Sequence, residues 1–119
     1  MEGKGIYYYN DGDRYEGDWR NGNMQGKGIY YYNTKPWIGD KYEGDWRNDN
    51  KEGKGIYYFN KEPWKGDRYE GDYRNNKKEG KGIIYYNNDN RMMGDYFNGK
   101  EVGKHVMLTK NGKVKTFNY

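Results

Sequence analysis

The sequence predicts an all-β fold, a single-layer antiparallel meander of about five β-hairpins. The first observation behind this prediction is the string Gly-Lys-Gly-Ile, which recurs from Gly3, Gly26, Gly53 and Gly80. Apolar and charged residues also alternate with a period of two, which is typical of a half-buried strand. Good helix formers are almost missing, since Leu108 is the only leucine among 119 residues and alanine is absent.

The repeat organises the whole chain. The four strings are 23, 27 and 27 residues apart, and an altered fifth copy begins at Gly103, with His105 replacing the second glycine. Each unit of this length needs its neighbours to bury its apolar face. We therefore predict one domain over residues 1–119, and we interpret His105 as a capping substitution. The predicted units are 3–25, 26–52, 53–79, 80–102 and a partial capping unit, 103–119.

The first unit illustrates the predicted hairpin. Tyr15, Gly17 and Trp19 alternate with charged residues, so the second strand presents its rings to one side. The first strand is predicted over Gly5–Tyr9, and the Asp-Gly pair that follows is a tight-hairpin signal. Without a β-carbon, Gly17 leaves room for a ring from the adjacent strand to lie on its backbone. The expected core is a ladder of rings over glycines.

The recurring pattern Tyr-Glu-Gly-Asp-Trp-x-Asn, followed by Gly-Lys-Gly-x-Tyr-x-Tyr, resembles the MORN (membrane occupation and recognition nexus) repeat. The resemblance covers essentially the whole chain, although Met92, Ile84, Met107 and Thr109 replace tyrosines of the pattern in the last two units. It implies a twisted single-layer sheet with a concave aromatic groove. It also implies a scaffold role, of the kind MORN proteins have in cytoskeletal and axonemal assemblies and at membrane junctions.

The aromatic groove is the candidate site. Trp and Tyr are enriched at binding hot spots, so we expect the groove to receive a protein partner as an amphipathic helix or a peptide. The alternative is that these rings are only the core. A single-layer sheet has no second layer to cover them, so some rings are expected to serve both purposes. The predicted groove residues are Tyr15, Trp19, Tyr42, Trp46, Tyr69 and Tyr73.

Two hairpin tips are longer than the others. Units two and three each carry four extra residues, and both place Pro-Trp at the same point, with the indoles at Trp37 and Trp64. Equivalent tips lie two strands apart, which is about 10 Å on one rim of the sheet. We expect either a paired lip over the groove or two indoles that fold back on their own hairpins.

The charge pattern argues against nucleic acid as a partner. Residues 1–102 contain 18 basic and 18 acidic residues, so the net charge of +4 comes entirely from unit five. There is no basic stripe for nucleic acid and no cluster of bases for anionic lipid. Lys113 and Lys115 fall on the last predicted strand, where lysine commonly guards a sheet edge.

Catalysis has little support in the sequence. The chain contains neither serine nor cysteine, and its only histidine is His105, so a nucleophilic triad or a zinc site is not expected. Glu16 and Asp18 lie about 7 Å apart along a strand, within the range of paired glycosidase carboxylates. Their pairing recurs in later units beside arginine, which favours a solvated polar face. We predict a non-catalytic scaffold with no cofactor and no metal.

Weaker alternatives remain open. One is a module that binds phospholipid at a membrane surface, and another is a carbohydrate- or choline-binding aromatic hairpin repeat. The uncapped first strand also predicts self-association through that sheet edge. The N-terminus lacks the apolar stretch of a signal peptide, so we expect a cytoplasmic protein, associated with cytoskeletal or ciliary assemblies. Heavy use of Asn, Lys, Tyr and Ile fits an AT-rich coding sequence such as many protists have.

Overall fold

A computed structural model describes residues 2–119 and confirms the all-β prediction. Ten strands form one antiparallel sheet whose spatial order is the order of the chain, so each strand pairs with its sequence neighbours. Met1, the first residue of the predicted domain, lies outside the described residues. The strands are β1 (Gly3–Tyr8), β2 (Arg14–Arg20), β3 (Asn23–Tyr31), β4 (Lys41–Arg47), β5 (Asn50–Tyr58), β6 (Arg68–Arg74), β7 (Lys77–Tyr85), β8 (Arg91–Phe97), β9 (Lys100–Leu108) and β10 (Val114–Asn118).

The first strand differs from the prediction at both ends. It runs over Gly3–Tyr8 instead of Gly5–Tyr9, because Gly3 pairs with Trp19 at one end of β2 and Tyr8 pairs with Arg14 at the other. The backbone of Tyr9 instead closes the turn, where its N–H donates to the carbonyl of Asp13 at 2.9 Å. The side chain of Tyr9 still packs against the ring side of the sheet, as the alternation predicts.

A bulge recurs wherever an even strand meets the next odd strand. Gly17 pairs with Gly28 and Trp19 with Met24, so Asp18 alone faces the extra residues of β3. Gly26 takes a φ of 72° in this bulge, a conformation that favours glycine. The Asp18 carboxylate accepts the freed N–H of Lys27 at 3.2 Å. The predicted unit boundaries fall at these bulges, inside β3, β5, β7 and β9.

The sheet is long and thin. Its longest dimension is 49 Å, close to what ten strands spaced about 4.8 Å apart occupy side by side. Residues 2–119 form no helix, and so none that could cross a membrane. β1 and β10 are the outermost strands of the described sheet. Self-association through β1 stays a prediction.

The face opposite Tyr15 and Trp19 carries charged side chains together with isoleucines and tyrosines, arranged in rows across the strands. Ile29 pairs with Glu43, and Lys27 pairs with Asp45, whose side chains form an ion pair. The Arg14 guanidinium lies 3.9 Å from the centre of the Tyr31 ring. Cross-strand pairs of this kind stabilise a sheet that has no second layer.

A candidate partner-binding groove

The six predicted groove residues belong to one continuous ladder of rings, which we call the floor ladder. Neighbouring tyrosine and tryptophan rings in it have centroids 5.0 to 5.6 Å apart and meet edge to face, the arrangement that aromatic rings prefer. Tyr15, Tyr42 and Tyr69 each contact the aromatic residue of their own strand and that of the next even strand. In spatial order the floor ladder is Trp19, Tyr15, Trp46, Tyr42, Tyr73, Tyr69, Tyr96, His105 and Tyr119.

The predicted residues lie beneath the surface of the groove. Tyr15, Tyr42 and Tyr69 are fully buried, and the three rings between and beside them are at most 7% exposed. Burial raises the pKa of Tyr15 and Tyr42 above the ordinary value of 10.0. Their hydroxyl groups donate to the backbone carbonyls of Asp18 and Asp45, at 3.1 and 3.0 Å. These six side chains build the floor of the groove and are almost closed to solvent.

The ring-over-glycine packing differs in detail from the prediction. The Tyr15 ring covers Gly28 on the neighbouring strand, where an added β-carbon would lie 2.5 Å from Cε1 of the ring. Gly17 instead faces the backbone of β3, and a β-carbon there would lie 2.5 Å from the carbonyl oxygen of Lys27. Both glycines are required, but only Gly28 lies under a ring that comes from the adjacent strand.

A second row of rings, which we call the wall row, lies beside the floor ladder. Adjacent centroids in it are 4.7 to 5.8 Å apart, and most of its members are half-buried. The site prediction omitted this row, although the alternation of Tyr7 and Tyr9 along the first strand was a signal for it. The wall row consists of Tyr7, Tyr9, Tyr30, Tyr32, Tyr57 and Phe59.

The two long hairpin tips border an open cleft of about 690 Å³ at the middle of the sheet. Trp37 and Trp64, the predicted rim residues, both line this cleft and are 50% and 52% exposed. Trp37 also lies against Tyr32 of its own hairpin, with centroids 6.3 Å apart. It therefore combines the two predicted arrangements, a lip beside the cleft and an indole that packs on its own hairpin.

Two lysines lie inside the cleft, and the sequence analysis missed both. The Lys51 amine lies 5.3 Å from the ring centres of Tyr32 and Tyr42, over their π faces. The Lys78 amine lies 4.8 Å from the ring centre of Tyr69. Burial lowers the pKa of Lys51 to about 8 and also lowers the pKa of Lys78. Both amines are cations held against rings instead of in open water.

Buried carboxylates fix the hairpin tips on this side of the sheet. Asp13 is 6% exposed and accepts hydrogen bonds from the Tyr30 hydroxyl at 2.8 Å and the backbone N–H of Asn33 at 2.7 Å. Asp40 accepts the Tyr57 hydroxyl at 2.6 Å, and through it ties the second tip to the third hairpin. The recurrence of an aspartate directly before each tyrosine-bearing even strand was the signal for this role.

The carboxylates considered for catalysis are engaged in ion pairs on the opposite face. Asp18 pairs with the Lys4 amine at 2.7 Å, and this hydrogen bond is the main reason that the pKa of Asp18 lies below its usual value. Glu16 lies 3.5 Å from the Arg14 guanidinium. Among residues 2–119, no group of three or more His, Asp or Glu side chains is placed to hold a metal ion.

Comparison with known proteins identifies the repeat. The MORN repeat matches four stretches that together span well over half of the chain, residues 1–14, 15–35, 42–61 and 69–91. No curated protein matches the sequence. Among solved structures, the SAS-4 (dCPAP) TCP domain of Drosophila melanogaster, in complex with a Proline Rich Motif of Ana2 (dSTIL), is similar in fold. It aligns with a TM-score of 0.52 and 17% identity over 98% of this chain and 72% of that one.

Proposed function

Because the chain belongs to the MORN repeat family, we propose that it is a non-catalytic scaffold whose cleft binds a segment of a protein partner. MORN repeats are in general non-catalytic modules for protein interaction or membrane association. The segment is an amphipathic helix or an extended peptide, since both insert apolar side chains into aromatic grooves. The structural neighbour, with a bound Proline Rich Motif, supports the peptide form.

The observation that carries this proposal is the pair of half-exposed indoles beside the cleft. Trp37 and Trp64 each leave about half of their surface in water, while Tyr32 and Phe59 line the cleft beside them. An exposed indole keeps a large apolar surface in water, and tryptophan is one of the residues enriched at binding hot spots. A partner that covers both indoles removes this apolar surface from water.

A selection from a random peptide library, with the full chain as bait, tests the proposal. The selected peptides are then titrated against the wild type and a Trp37→Ala/Trp64→Ala variant, with calorimetry as readout. We expect the double variant to bind at least about tenfold more weakly, because a hot-spot residue contributes 2 kcal/mol or more.

The matched control replaces an exposed ring on the other face. Tyr8 is 69% exposed and lies on that side of β1, so Tyr8→Ala leaves the cleft intact. Peptides that bind the cleft keep their affinity for this variant. If Tyr8→Ala abolishes binding and the double tryptophan variant does not, the partner uses the opposite face and the proposal is wrong.

The expected location is part of the same proposal. A scaffold that holds partner segments suits cytoskeletal or ciliary assemblies in the cytoplasm, and the family resemblance supports this assignment. Imaging of the tagged full-length protein in its own cells tests it. A uniform signal with no enrichment on cytoskeletal structures would contradict it.

A further inference from the structure

The cleft is positively charged, although most of the chain is neutral. Four lysines line it, with a single aspartate. That aspartate, Asp40, is already occupied by the Tyr57 hydroxyl and the Asn60 backbone N–H, at 2.6 and 2.8 Å. The site therefore presents cationic groups without a free anion to match them. The lining lysines are Lys51, Lys61, Lys77 and Lys78.

Two of these amines are placed deeply. Lys51 Nζ lies between three rings, 5.3, 5.3 and 5.8 Å from the ring centres of Tyr32, Tyr42 and Tyr57. Lys78 is surrounded in the same way one repeat further along. Among residues 2–119, no carboxylate lies at ion-pairing distance from either amine, although Glu101 acts on Lys78 from farther away. An anion brought into the cleft would form charge-assisted hydrogen bonds in a partly desolvated site.

The same repeat position carries different residues along the sheet. Met24 in the first repeat is 7% exposed and belongs to the apolar core, whereas the last repeat has Glu101 there. A thioether therefore suffices for packing at this position. The cations of Lys51 and Lys78 are not needed to fill the space, and they occur only where the cleft lies.

The distance between the two lysines defines the spacing of a ligand's charges. They occupy equivalent positions on β5 and β7, two strands apart, which corresponds to about 9.4–9.8 Å. A polyproline II helix rises about 3.1 Å per residue and returns to the same face after three residues, about 9.3 Å. Two turns of an α-helix advance about 10.8 Å, which fits the lysines less well.

We propose that the cleft binds an extended, proline-containing peptide that places two carboxylates, three residues apart, on Lys51 and Lys78. This inference rests on the proposed function and specifies the chemistry of the partner. The prolines would lie against the indoles and the wall row, as in other aromatic grooves that bind polyproline II segments. The carboxylates would fix the register of the peptide along the sheet.

A peptide fits this site better than a membrane surface. The two amines lie among rings within a cleft that Trp37 and Trp64 border, so a flat bilayer would meet the indoles before it reached the amines. Outside the cleft, the chain up to residue 102 carries no net charge that would attract anionic lipid.

Three synthetic peptides of equal length and proline content test the inference against the full chain. One carries two glutamates three residues apart, one carries glutamines there, and one carries the glutamates four residues apart. We expect the first to bind at least about tenfold more tightly than the other two, in line with the strength of charge-assisted hydrogen bonds.

The variant Lys51→Met/Lys78→Met follows the natural example of Met24 and should keep the fold. We expect it to remove the preference for glutamate over glutamine. The control Lys27→Met/Lys54→Met removes two lysines that pair with aspartates on the opposite face, and it should keep the preference. Circular dichroism confirms that each variant is folded before it is titrated.

Each outcome decides between the two proposals. If the glutamate and glutamine peptides bind equally, the acidic ligand is wrong, while the cleft remains a peptide site. If no peptide binds and vesicles with anionic phospholipid bind in a way that needs Lys51 and Lys78, the ligand is lipid and the peptide proposal is wrong. If none of the three peptides and no vesicle binds, the inference fails, and the peptide-binding function fails with it only if the random library also yields no peptide that needs Trp37 and Trp64.

Discussion

Four times along the sheet, an even strand packs against the next odd strand in the same way, and the last of these four contacts differs from the other three. Each even strand meets the next odd strand at what we call a joint. At the first three joints a tyrosine of the even strand covers a glycine of the odd strand, while at the fourth the even strand has Met92 and the odd strand has His105. The tyrosine–glycine pairs are Tyr15 and Gly28, Tyr42 and Gly55, and Tyr69 and Gly82.

The ring at the fourth joint comes from the opposite strand but fills the same role. His105 is fully buried and lies in the floor ladder between Tyr96 and Tyr119, with centroids 5.3 and 4.9 Å away. Its Nε2 donates to the Asp95 carbonyl at 2.9 Å, the bond that Tyr15 makes to Asp18 at the first joint. The fold therefore requires one ring and one hydrogen bond per joint, and either strand can supply them.

Gly28→Ala at the first joint should have the largest effect. The β-carbon would overlap the fully buried Tyr15 ring, which has no free space to move into. We expect the free energy of unfolding to fall by at least about 3 kcal/mol, the upper range for overpacking of a core. The midpoint of chemical denaturation measures the loss.

A double variant is the control for this prediction. Tyr15→Met/Gly28→His copies the fourth joint into the first, so it should recover more than half of the stability that Gly28→Ala loses. An unchanged midpoint for Gly28→Ala would mean that the Tyr15 ring moves aside freely, and the coupling between ring and glycine would be disproved.

The reverse exchange at the fourth joint should have the next largest effect. His105→Gly leaves a cavity and Met92→Tyr forces a second ring against His105, so each single change should cost about 2–3 kcal/mol. Together they recreate the tyrosine–glycine pair, and the double variant should return to within about 1 kcal/mol of the wild type. Strictly additive losses in this double-mutant cycle would contradict the comparison.

The hairpin tips also differ between the earlier and later repeats, and replacing their aspartates should change stability by a smaller amount. Asp40 accepts a tyrosine hydroxyl and a backbone N–H, whereas Asp67 accepts the N–H of Asn87 but no tyrosine hydroxyl within residues 2–119, because Ile84 replaces the tyrosine. At the fourth joint the uncharged Asn90 accepts the N–H of Lys110 at 2.9 Å. Asp40→Asn should therefore cost about 1 kcal/mol in thermal or chemical unfolding, and Asp67→Asn less. Equal costs at the two positions would mean that the tyrosine hydroxyl contributes nothing.

Much of the fold could be predicted from the sequence because the same alternation of aromatic and charged residues recurs in each repeat. The alternation of Tyr15 and Trp19 along a strand fixes which side chains share a face, and it placed both rings in the buried layer. The Pro-Trp positions likewise placed Trp37 and Trp64 at one rim, since equivalent points of successive hairpins must lie side by side.

What the sequence analysis missed depends on the register between strands. The turn between β2 and β3 falls at Asn21 and Gly22, so Arg20 pairs with Asn23, and Met24 must oppose Trp19 and share its face. In the next repeat the same register pairs Lys51 with Trp46 and so places Lys51 in the cleft. The sequence Asn50-Lys51-Glu52 alone is typical of a solvated turn. The packing of the His105 ring over Gly94 is also invisible along the chain, because it exists only across two strands.

Lys51→Met should have an effect of the opposite sign, a gain in stability. Methionine already fills this position in the first repeat, and in the wild type burial lowers the pKa of Lys51 to about 8 from 10.5. The unfolded chain holds the proton more tightly, so the charged amine destabilises the folded state fully below about pH 8 and progressively less as the pH rises towards 10.5. We expect Lys51→Met to gain about 1 kcal/mol at neutral pH, with the gain shrinking in alkaline buffer.

Denaturation midpoints at neutral and alkaline pH measure this gain, and the unaffected control is Lys54→Met, which replaces an exposed lysine paired with Asp72. A pH-independent gain would mean that methionine stabilises only by better packing, whereas a loss would mean that the three surrounding rings stabilise the cation more than its burial costs.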